Sequence, residues 1–113
     1  MSYVALVGEE SLLPCNISGE HKDDPIILIL WYRNDSVKPI YTVDARSSSL
    51  MDAVHSVDES VASRVTFSLN FPLSHLYIKP VTQDDEAEYR CRIDYRLGRT
   101  VNRSFRLYVI GKH

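Results

Sequence analysis

Residues 84–96 read DDEAEYRCRIDYR. An acidic turn runs into a segment in which Ala87, Tyr89, Cys91 and Ile93 occupy every second position. Between them fall Glu88, Arg90, Arg92 and Asp94. Period two is the mark of a half-buried strand, whose successive side chains point to opposite faces. If Cys91 faces a core, Ile93 faces it too, and the arginines face away. The second cysteine, Cys15, ends SLLPC, where Leu13 and Cys15 keep the same spacing.

The 113 residues fit one domain with one core. The chain carries a formal net charge of −2 and an ordinary apolar fraction of 44%. Its longest apolar run, PIILILWY at 25–32, is far too short to span a bilayer. The N-terminus lacks the basic and apolar regions of a signal peptide. The chain therefore reads as a cytosolic domain or as a piece of a secreted or membrane protein. Met1–Ser2 and the final GKH are set aside as candidate cloning remnants, leaving about residues 4–110 as the structured part.

Two cysteines and four scattered histidines make a poor zinc site. Two free thiols are one reading, and a long-range disulfide is the other; the flanks favour the disulfide. The sole tryptophan, Trp31, lies sixteen residues after Cys15, inside PIILILWYR. HLYIKPVTQDDEAEYRC then alternates Leu76 with Ile78 and closes on Asp85-x-Ala87-x-Tyr89-x-Cys91. This order of Cys, Trp and Cys is the frame of an immunoglobulin β-sandwich. Tyr89, two residues before Cys91, stands where such a fold has its tyrosine corner. Asp85 is expected to pair with Arg64, which opens RVTFSL. Bridging Cys15 to Cys91 closes a long loop, for which the chain-entropy model gives roughly 4–5 kcal/mol, and implies an oxidising compartment.

Strands are expected at Val4–Val7, Ser11–Asn16, Ile26–Arg33, Pro39–Val43, Arg64–Leu69, His75–Lys79, Glu88–Tyr95 and Ser104–Ile110. A further strand is expected within the polar interval Leu50–Val61. The room between Trp31 and His75 favours the variable-type, nine-strand sandwich, an all-β fold of two antiparallel sheets.

Alternation along 26–33 puts Ile27, Ile29 and Trp31 inside, and Leu28, Leu30 and Tyr32 outside. The outward set shares one sheet face (strands G, F, C and C′ of the variable-type sandwich) with Arg90, Arg92 and Asp94. A solvated face should read polar. An apolar centre rimmed by Arg and Tyr is the composition of a protein interface. We take Leu28, Leu30, Tyr32, Tyr41, Arg90, Arg92, Asp94 and Arg96 as the candidate partner face. The alternative is that long side chains of neighbouring strands merely cover the two leucines.

Charge is uneven along the chain: residues 1–89 sum to −8 and residues 90–113 to +6. The basic end suits an acidic partner surface or a polyanion such as heparan sulfate, and it also suits a plain solvated edge. Nucleic acid is an unsuitable partner for an extracellular domain. Three sequons, at Asn16, Asn34 and Asn102, agree with secretion. Asn16 is expected to face outward on the opposite sheet. Asn34 and Asn102 are expected to bracket the candidate face at its two ends.

The chain reads as a non-enzyme with no cofactor. It has no nucleophile elbow, Gly-rich phosphate loop or HExxH motif. The acidic pairs Asp23–Asp24 and Asp84–Asp85 offer too few oxygens for a calcium site.

LWYRND, KPIYTVDAR, AEYRCRIDYR and RSFRLYVI together resemble the first immunoglobulin domain of the Sidestep family of arthropod neuronal cell-surface proteins. The likeness runs from about Val4 to Ile110; HSVDES near His55 departs from it, lacking an expected aromatic. The resemblance implies a fragment of a single-pass receptor, attached to the membrane through further parts of the parent chain. It implies heterophilic binding to Beaten path family immunoglobulin proteins, in axon guidance and synaptic partner choice. Homophilic adhesion through the same sheet, and glycan binding or immune recognition by the basic end, are the competing readings.

Overall fold

A computed structural model of the chain describes residues 1–18, 23–34, 36–70 and 73–111. Asp35, the middle of the Asn34 sequon, and Lys112–His113 of the terminal GKH lie outside the described residues. The described residues form nine strands: β1 (Ser2–Leu6), β2 (Ser11–Asn16), β3 (Ile26–Arg33), β4 (Tyr41–Asp44), β5 (Val54–Val57), β6 (Val65–Ser68), β7 (Leu73–Ile78), β8 (Ala87–Tyr95) and β9 (Thr100–Ile110). One sheet runs β1-β9-β8-β3-β4-β5 and the other β2-β7-β6. Among the described strands only β1 and β9 pair in parallel. This is the two-sheet, variable-type sandwich that the Cys–Trp–Cys frame and the long interval after Trp31 called for.

Several boundaries differ from expectation, most by one or two residues, and three strand starts do so for a local reason. β1 begins at Ser2, and the carbonyl of Met1 accepts from the Arg106 N–H at 3.0 Å, so the two residues set aside belong to the fold. β4 begins at Tyr41 and not at Pro39; proline has no N–H to give a ladder. β9 begins at Thr100, four residues before the expected Ser104. Its polar start, TVNRS, hides the alternation, but β8 supplies a full ladder of partners there. A three-residue turn makes this reach possible: the Tyr95 N–H donates to the Arg99 carbonyl at 2.8 Å, and Gly98 adopts φ 97°, which favours glycine.

The expected inward set on β3 is wrong at one place. The pairing of β3 with β8 slips between Ile26 and Leu28, so Ile27 is an extra residue without a partner on β8. Such a bulge inverts the phase of everything before it. Ile26 is therefore the buried residue and Ile27 only half-buried. Leu28 and Leu30, past the bulge, keep the outward phase.

Between the sheets Cys15 and Cys91 are bridged, 76 residues apart in sequence. Trp31 pairs in register with Cys91, is fully buried, and has the rings of Phe67 and Phe105 at 6.2 and 6.1 Å. Its indole Nε1 has no hydrogen-bond partner among the described residues. The corner before β8 is polar yet enclosed. Asp85 is 2% exposed and takes both guanidinium nitrogens of Arg64, at 2.7 and 3.1 Å, and the Thr82 N–H at 2.7 Å. The Tyr89 hydroxyl donates to the Asp85 carbonyl at 2.6 Å, which is the tyrosine corner. Burial pushes the Tyr89 phenol up to about 12.

Burial alone would raise the Asp85 carboxyl, but the Arg64 pair and the Thr82 N–H outweigh it and hold it below the ordinary carboxylate value. A carboxyl depressed in the folded state adds stability above its unfolded value and loses it as pH falls through the folded one. The Arg64→Ala variant should lose ~3 kcal/mol in denaturant melts at neutral pH, because it strands a buried charge. That loss should shrink as pH drops below the carboxylate range; a pH-independent loss would contradict this. The bulge makes a separate prediction. Ile26→Ala should cost ~3 kcal/mol and Ile27→Ala ~1 kcal/mol or less, and the reverse order in the same melts would place the bulge elsewhere.

Candidate recognition face

The outward face of the larger sheet is built from cross-strand rows. Leu28 stands between Asp44 and Asp94, with Thr100 beyond. Leu30 stands between Thr42 and Arg92, with Asn102 beyond. Tyr32 stands beside Arg90. Leu28 and Leu30 are half-buried, so the β3 leucines are partly covered and partly presented.

Tyr32 departs from expectation. It has the outward phase but is only 9% exposed, because the Arg90 guanidinium lies 4.7 Å over its ring. The aromatic is a platform and the arginine is what the face presents. Stacking leaves the Arg90 Nε buried with no hydrogen-bond partner. Arg90 also makes no ion pair among the described residues, whereas Arg92 holds Asp94 at 3.0 Å, Arg46 holds Asp44 at 2.7 Å and Arg99 lies 3.7 Å from Asp24. The Arg46 hydrogen bonds hold the Asp44 carboxyl down at about 2.

Tyr41 does not lie on this face. It pairs with Trp31 on the core side, is 7% exposed, packs on Phe67, and its hydroxyl meets His55 Nδ1 at 2.6 Å. Its phase was readable: Tyr41 and Val43 are two apart, and Val43 is core. Arg96 sits beyond β8 in the turn to β9, exposed and off the rows; its N–H donates to the Pro25 carbonyl.

The basic end of the sequence is partly neutralised in space. Asp24, from the acidic part, accepts from the Leu97 N–H at 2.9 Å and faces Arg99, whose guanidinium also stacks on Tyr95 at 3.8 Å. Asp94 takes both Arg92 and the Thr100 hydroxyl. Arg96, Arg103 and Arg106 remain exposed.

One of the three sequons also moves. Asn34 lies where expected, at the β3 end, with φ 52° and its Oδ1 accepting from the Glu88 N–H. Asn16 closes β2 on the other sheet, where its Oδ1 accepts from Ser18 N–H at 2.9 Å. Asn102 does not lie at the end of the face. It is inside β9, directly opposite Arg92, in the row of Leu30. The expectation of two glycans bracketing an open centre fails because β9 starts earlier than its polar residues suggest.

Sequence reasoning also missed Val4, Leu6, Tyr108 and Ile110. They pair side by side on β1 and β9 and are all exposed. The signal was apolar residues in both phases of YVALV and RLYVI.

A paired two-sheet sandwich with a bridged core, a tyrosine corner and six strands in its larger sheet defines an immunoglobulin domain of the variable type. The chain belongs to the immunoglobulin V-set family, whose profile, Immunoglobulin V-set domain, matches residues 2–110. No curated protein matches it in sequence. Among solved structures it is similar to murine CRIg, with 18% identity over 96% of this chain and 92% of that one and a TM-score of 0.75. It is similar to the first Ig-like domain of human CD48, at 20% identity, 99% and 83% coverage and a TM-score of 0.72. It is also similar to the extracellular domain of the voltage-gated sodium channel beta4 subunit, at 20% identity, 100% and 92% coverage and a TM-score of 0.69. That structure is described as a parallel homodimer explaining a role in cell-cell adhesion. At these identities the likeness is one of fold.

The stacking geometry carries a prediction of its own. Arg90→Ala should uncover Tyr32 and strengthen quenching of tyrosine fluorescence by acrylamide, with a stability loss of ~1 kcal/mol. Unchanged quenching in folded protein would mean that Arg90 does not cover the ring.

Proposed function

We propose that this is the extracellular recognition domain of a cell-surface receptor of the Sidestep type. It binds a Beaten path-type immunoglobulin protein through the outward face of β9, β8, β3 and β4, in axon guidance and synaptic partner choice. Two lines support the reading: the sequence likeness running through LWYRND, KPIYTVDAR and AEYRCRIDYR, and the make-up of the face. The observation that carries it is Arg90, held on Tyr32 beside Leu30 with no carboxylate partner among the described residues. A charge oriented in advance and left unpaired suits a partner that brings an acidic side chain. Leu28 and Leu30 supply the adjoining apolar area.

The other reading with an observation behind it is homophilic adhesion, since the beta4 structure is described as a homodimer. Sedimentation of the chain at high concentration separates the two, because a heterophilic domain stays monomeric.

Binding of this domain to immunoglobulin ectodomains, followed by substitution, tests the proposal. Leu30→Arg should weaken partner binding by more than roughly 2 kcal/mol, or about 30-fold, if Leu30 is a hot spot. It should leave melting nearly unchanged, since Leu30 is outside the core. A folded Leu30→Arg protein that binds normally would sink the proposal.

A further inference from the structure

Asn102 differs from the other two sequon asparagines in what its side chain does. Asn16 and Asn34 each spend the side-chain carbonyl on a backbone N–H, of Ser18 and Glu88 respectively. Asn102 is exposed and makes no side-chain hydrogen bond among the described residues. It points outward at the β9 end of the row that continues through Arg92, Leu30 and Thr42. Neighbouring strands are ~4.8 Å apart, so Asn102 stands ~5 Å from Arg92 and ~10 Å from Leu30 across the sheet. Its surroundings are open on the other side as well. β1 pairs with β9 only from Arg106 onward, so among the described residues Thr100–Phe105 form a bare sheet edge.

We propose that Asn102 carries an N-linked glycan that governs access to the recognition face and covers the bare edge of β9. In the modification, the Asn102 carboxamide nitrogen bonds to the anomeric carbon of an oligosaccharide and releases a proton. The lipid diphosphate of the donor, supplied in the secretory compartment, leaves. A bulky solvated sugar anchored in the Leu30 row stands over Arg92 and Leu30 and keeps a protein surface from the centre, so the partner of the proposed function docks on chains in which Asn102 is bare. The same sugar hinders pairing of a second chain along Thr100–Phe105, where unpaired backbone groups invite it. Glycans at Asn16, on the other sheet, and at Asn34, beyond the end of β3, leave the centre clear. The biological meaning rests on the proposed function above; the steric claim does not.

The test uses the chain secreted from eukaryotic cells, with occupancy of each sequon read by peptide mass. The probe is a nanobody selected against the sugar-free, oxidised chain and mapped to the centre of the face by its loss of binding to Leu30→Arg. The glycosylated chain should bind this nanobody at least roughly tenfold more weakly than Ser104→Ala, which removes the sequon and keeps Asn102. Ser18→Ala, which removes the Asn16 sequon, should change nothing. Should Ser104→Ala fold poorly, trimming the sugar with an endoglycosidase should restore binding in the natural sequence. An unmodified Asn102 in the secreted chain overturns the proposal. So does equal nanobody binding with Asn102 fully occupied. A nanobody blocked by the sugar, together with a natural partner indifferent to Leu30→Arg, leaves this inference standing and removes the proposed function.

Discussion

The bridge between Cys15 and Cys91 determines which way β8 faces, and most of the surface follows from that. A strand has only two phases. Once the sulfur of Cys91 is tied to β2, Tyr89 and Ile93 must turn inward and Arg90, Arg92 and Asp94 outward. The tyrosine corner repeats the constraint two residues earlier, since the Tyr89 hydroxyl reaches Asp85 only from the inner phase. β3 and β9 take their own phases from β8 by pairing. A slip of one residue would bury four charges and expose the bridge, so the alternative register is closed by a large margin.

How much of this the sequence disclosed depended on whether a residue's role was local. The Cys–Trp–Cys frame, the corner and the Arg64–Asp85 pair are read from spacing, because period two and a fixed corner length leave little freedom. The bulge at Ile27 was not legible: IILIL is apolar in both phases, so nothing in it marks an extra residue, and only the ladder to β8 does. The start of β9 was hidden for the opposite reason, since polar TVNRS carries no apolar alternation although its backbone pairs fully. Tyr41 was legible and misread, for Val43 two residues on shares its phase.

The candidate face shows the same limit in energetic terms. Counting charges along the chain separates an acidic part from a basic one, but folding brings Asp24 to Arg99 and gives Arg90 no ion pair among the described residues. Which arginine stays available is decided by contacts between segments distant in sequence. The stack on Tyr32 lowers the conformational freedom of Arg90 before any partner arrives, so less ordering remains to be done on association. Arg92, paired with Asp94, is already neutralised and contributes shape more than charge.

The eleven-residue β9 bears on a property that no binding constant captures. It is laced along one side to β8, and its last turn of ladder is tied to the corner. Gln83 donates to the Val109 carbonyl at 3.1 Å, and Glu86 accepts from the Val109 N–H at 2.9 Å. On its other side it runs parallel to β1. Hydrogen bonds in such ladders lie across the strand, so a pull along β9 loads them side by side. They must fail together and cannot be peeled one at a time. A domain gripped at mid-sheet and pulled through the end of this strand is therefore loaded in shear, the direction in which a sheet resists longest.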